Sequence, residues 1–158
     1  MRSFTGIQLI NLPKRLSRNS QIGSSLKEAI MSYYFTKTLD MPFEEAVDHV
    51  TKALAEKGFG VLTTIDVKET MKKKIGMEMK PYRILGACNP HFAFRAIQSE
   101  DKIGTMLPCN VLVIEHAPGQ VEVAAVDPVA SMSAVKNSEL GDVAMAVQTA
   151  LKDMVEGL

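Results

Sequence analysis

The chain has 158 residues, 46% of them hydrophobic and 23% charged, with no tryptophan and only 6% aromatic residues. That is enough apolar material for one domain with a real core, and no apolar run reaches the ~18 to 20 residues needed to cross a bilayer, so a disordered or membrane-spanning chain is excluded. Eighteen basic residues balance eighteen acidic ones; no global positive field points to nucleic acid.

The balance hides a segregation. Residues 1–30 carry Arg2, Lys14, Arg15, Arg18 and Lys27 against Glu28, whereas the remainder holds 13 basic and 17 acidic side chains. The first thirty residues lack the apolar core of a secretory signal. They read as a dispensable or non-native extension, with translation starting at Met31; an organelle-targeting peptide and an ordered arm are the alternatives. Residues 31–158 then form a single domain without internal repeat or low-complexity tract.

Tyr33 to Leu39 is rich in aromatic and β-branched residues and reads as a strand that Asp40 stops. Phe43, Ala46, Val47, Val50, Ala53 and Leu54 recur at helical spacing, with Glu44 and Glu45 in the first turn and Gly58 past the end. Val61 to Ile65 is a second strand. Asp66 caps a short basic helix that ends at Gly76, where Lys72, Lys73 and Lys74 read as a solvated face, since three consecutive residues cannot all point one way. Tyr82 to Ala87 is a third strand, and Asn89-Pro90 supplies an N-cap followed by proline at the first helical position.

Val111 to Ile114 is continuously apolar and reads as a central strand buried on both faces. Ala117-Pro118-Gly119-Gln120 fits a type II turn, so Val121 to Val126 returns antiparallel beside it. Asp127-Pro128 repeats the cap-then-proline device. From Ser138 onward, Leu140, Val143, Ala144, Val147, Ala150, Leu151, Met154, Val155 and Leu158 trace the stripe of a long terminal helix. The order is β-α-β(4)-α with short helical excursions, which places the chain in the α+β class: a mostly antiparallel sheet with helices packed on one face.

Two phrases, Gly86-Ala87-Cys88-Asn89-Pro90 and Leu107-Pro108-Cys109-Asn110-Val111, are near mirror images around Cys-Asn. If the third and fourth strands are antiparallel neighbours, Cys88 and Cys109 meet at one edge of the sheet. Cys88 also precedes a helix N-terminus, where free N–H groups favour a thiolate or another anion. The phrases allow buried, inert cysteines with Asn89 and Asn110 shaping turns; a redox dithiol; a zinc or copper site made of Cys88, His91 and Cys109; or a small-anion pocket with Arg83 or Arg95 as counter-charge. His49 and His116 read as solvent-facing, Asp127 as a helix cap, and Met132, Met145 and Met154 as core filling. There is no serine elbow, no paired-carboxylate motif, and no glycine-rich nucleotide loop.

Across Tyr82 to Pro90, Leu107 to Val111 and Ala125-Val126-Asp127-Pro128, the sequence resembles domain of unknown function family 302; Phe43-Glu44-Glu45-Ala46-Val47 and Lys57 to Leu62 are similar as well. The resemblance covers residues 31–158. It implies a β-α-β(4)-α fold of the TATA-binding-protein-like class and a natural start near Met31. It carries no activity over to any residue, does not import DNA binding, and does not extend to His91, which counts against the metal set.

The expectation is a cytoplasmic module, homodimeric through a sheet or helix surface. It binds a small molecule or ion near Cys88, Asn89, Cys109 and Asn110, with no nucleic acid or membrane as partner. A thiol redox or sulfur-transfer enzyme and a purely structural or interaction protein are the alternatives, and the balance is against an enzyme.

Overall fold

In the computed structural model, residues 32–158 are described; the expectation for residues 1–30 falls outside them. Among the described residues, five strands form one sheet in the order β1-β5-β4-β3-β2, with every neighbouring pair antiparallel. The strands are β1 Tyr34–Asp40, β2 Gly60–Asp66, β3 Tyr82–Cys88, β4 Cys109–Ala117 and β5 Gln120–Val126. The first two occupy opposite edges. They are joined by α1, Phe43–Glu56, so the first connection crosses the width of the sheet before β3, β4 and β5 fill the middle. The chain is α+β, as its element order implies.

The local signals act as their chemistry requires. The Asp66 side chain accepts the Glu69 N–H to start α2, Val67–Ile75, and Gly76 ends it in the left-handed region at φ 69°. Asn89 accepts the His91 and Phe92 N–H groups at the head of α3, Pro90–Ser99. Asp127 does the same for Val129 and Ala130 at α4, Pro128–Ser131. Gly119, at φ 75°, takes the third position of the β4–β5 turn. The first strand begins at Tyr34 rather than Tyr33 and includes Asp40, which pairs with Gln120; strand pairing outweighs the low strand preference of aspartate.

The core lies on one face of the sheet. Ala46, Val50 and Leu54 of α1, and Val147, Leu151 and Val155 of α5, Gly141–Gly157, close over Leu85, Val111, Val113, Val121 and Val123. Each of those strand residues is no more than 1% exposed. The expectation that β4 is buried on both faces is corrected here. Successive side chains alternate across a strand; Val111 and Val113 are buried under the helices, and on the other face Ile114 is buried as well, but Leu112 there is only half-buried and Asn110 is exposed. Met145 is likewise not core filling, being 52% exposed, whereas Met154 is buried and Met132 partly so.

Candidate functional site

The register of β3 with β4 pairs Ala87 with Cys109, so the two Cys-Asn phrases do meet. Cys88, Asn89 and Cys109 border a cavity of about 30 Å³ together with Phe59, Phe92 and Leu107, room for little more than a water molecule. Burial pushes the Cys109 thiol up to about 11, with the neighbouring Cys88 adding to the rise, and burial raises Cys88 as well. The thiolate expected at the α3 N-terminus is therefore disfavoured, because desolvation of the charged form dominates.

The other members of the expected constellation are engaged elsewhere. Asn89 spends its side-chain oxygen on capping α3, and its backbone oxygen accepts the Ala93 N–H, so the N–H groups that would hold an anion are taken. Asn110 sits one residue beyond Cys109 and faces the opposite side of the sheet. His91 is exposed. Among the described residues, no group of three or more His, Cys, Asp or Glu side chains is gathered as a metal ion requires, Cys88, His91 and Cys109 included. Arg83 is not a free counter-charge: it forks onto Glu44 at 2.8 and 3.1 Å and onto Asp66 at 3.0 Å, over the ring of Phe43. Arg95 lies exposed on α3.

A larger concavity lies on the sheet face that no described helix covers, called the open face below, a groove of about 440 Å³. Register builds its floor rung by rung. Tyr82, Ile114 and Glu122 align across β3, β4 and β5; Leu112 and Ala124 form the next rung, with Thr36 of β1 beyond; Asn110 lies past Leu112 on β4, and Val126 pairs with Tyr34. Tyr33 completes the lining, its ring edge-on to Tyr34 with centroids 4.9 Å apart. Its carbonyl accepts the Asp127 N–H at 2.8 Å, and Gln148 of α5 donates to both carboxylate oxygens of the same aspartate at 2.9 Å, so the tyrosine is tied through Asp127 to the terminal helix.

Among the described residues, Glu122 is the only acid in the lining. Its Oε1 accepts from Thr36 at 2.7 Å, and its Oε2 lies 2.6 Å from Nε2 of His116, whose Nδ1 is 3.0 Å from Lys80 Nζ. The Thr36 hydroxyl, followed by His116, holds the Glu122 carboxyl below the usual carboxylate range. His49 is exposed as expected; His116 is exposed too, but engaged from both sides. The sequence reading missed Tyr33, Tyr34, Tyr82 and Glu122. The signal that locates them is the alternation Asn110, Leu112, Ile114 on β4, which gives the sheet a second face. No described helix is long and apolar enough to cross a membrane.

Comparison with known proteins agrees with the architecture. The crystal structure of an uncharacterized conserved protein DUF302 from Bacillus stearothermophilus is similar, with a TM-score of 0.73 and 23% sequence identity, over 78% of this chain and 96% of that one. No curated protein matches the sequence. The family model of the domain of unknown function DUF302 matches residues 35–158, which include all five strands apart from Tyr34. This chain belongs to the DUF302 family.

Proposed function

We propose that the domain is a binding module for a small organic molecule and that its site is the groove on the open sheet face rather than the space between the cysteines. The observation that carries the reading is size with composition. The groove, at about 440 Å³, has the volume of ordinary ligand sites, with an apolar floor, three tyrosines and two convergent polar groups, Asn110 and Glu122; the cysteine cavity, at about 30 Å³, admits no organic ligand. Thiol redox or sulfur transfer would need an exposed cysteine of lowered pKa, and both thiols are raised.

Thermal melting of the full chain against a panel of small organic compounds tests this. A ligand at about 100 times its Kd adds about 2.7 kcal/mol to the folded state. Ala124 lies on the groove floor between Leu112 and Thr36. Ala124→Phe fills that floor and should abolish the stabilisation while leaving the unliganded melt close to wild type. A compound that stabilises wild type and Ala124→Phe equally binds elsewhere and overturns the assignment.

A further inference from the structure

We propose that the occupant of the groove is a small organic cation, seated above Ile114 between the ring of Tyr82 and the carboxylate of Glu122. The inference rests on the binding reading above and names its ligand class. Tyr82 and Glu122 share one rung of the sheet with Ile114 between them, so two strand spacings of ~4.8 Å separate them, about 10 Å in all. Side chains rooted on backbones that far apart leave room for an ammonium about 5 to 6 Å from an aromatic centroid and about 4 Å from a carboxylate, the distances at which each attracts a cation.

The chemistry of the slot selects further. Its floor is the Ile114 side chain, which returns no hydrogen bonds to a desolvated ion, so a methylated ammonium fits where a bare alkali cation would forfeit its hydration. Thr36 and His116 anchor Glu122 through one oxygen each; a carboxylate oxygen accepts more than one hydrogen bond or contact, so attraction for a cation survives the anchoring. An anionic ligand would meet this carboxylate directly. Lys80 is held on the far side of the His116 ring, exposed to solvent and outside the groove lining. Its repulsion is weakened by screening.

The chain supplies its own probe. It has three tyrosines and no tryptophan, and all three tyrosines border the groove, so intrinsic tyrosine emission reports on this site. The full chain is titrated with choline, with its uncharged isostere 3,3-dimethylbutanol and with the anion 3,3-dimethylbutanoate. Choline should change the emission saturably and bind at least about tenfold more tightly than the alcohol, with no response to the anion. Glu122→Gln should erase most of that preference, and Tyr82→Phe, which keeps the aromatic face, should retain what Tyr82→Leu loses. Equal binding of choline and the alcohol overturns the cation and leaves the groove reading standing. Emission indifferent to all three compounds overturns the cation, while the groove reading is decided by the melting panel with Ala124→Phe; emission that depends instead on protein concentration overturns the cation in favour of a second copy of the chain on this face.

Discussion

Cys109 shows how position on a strand decides the chemistry of a side chain. It starts β4 on the helix-covered face, 5% exposed, with its thiol pushed up to about 11. The reactive form of cysteine is the thiolate, so at pH 8 Cys109 should resist iodoacetamide in the native protein and react once denatured; mass spectrometry of the alkylated peptides checks this. Rapid native labelling of Cys109 would contradict the burial. Gly86 is a second case of placement. A Cβ there would collide with Thr63 Oγ1 and come within 2.7 Å of Pro108 Cγ, and the proline ring has no rotamer by which to retreat. Gly86→Ala should therefore cost about 1 to 3 kcal/mol, read as a lower urea midpoint.

At the scale of elements, Asp66 joins the end of β2 to the start of α2 and also pairs with Arg83 on β3. The Glu69 backbone N–H, and secondarily Arg83, hold its carboxyl below the usual value. A carboxyl depressed in the folded state contributes stability above its unfolded pKa, about 4, and that contribution is lost as pH falls through the folded value. Asp66→Asn keeps the cap but cannot titrate. The stability gap between wild type and Asp66→Asn should therefore be widest at neutral pH and close towards pH 3, by urea denaturation at both; a gap independent of pH would show that the carboxylate charge contributes nothing. The caps, the glycine stops and the β4–β5 turn were legible in the sequence because each is written within a few residues. The groove was not, since Tyr34, Tyr82 and Glu122 converge only through the register of three separate ladders. Sequence proximity put Asn110 beside Cys109; the strand's alternation turns their side chains to opposite faces, although both residues border one cavity of about 270 Å³ at the start of β4.

For the whole molecule, the two faces of the sheet divide the labour. The helix-covered face holds the fully buried aliphatics, and the open face, freed of that demand, carries tyrosines, Asn110 and the Glu122 cluster. The position of β1 has a consequence for how the chain comes to be folded. Among the described residues its one neighbour in the sheet is β5, and the bond from Thr36 to Glu122 spans 86 residues. The β3–β4–β5 region pairs across shorter loops, with smaller closure entropies, so it is the natural place for order to begin. During synthesis β1 leaves the ribosome early yet has no edge to join until β5 has followed it. For that interval a strand that opens on Tyr34 and Phe35 stands unpaired, the condition under which nascent chains associate with one another or call on chaperones.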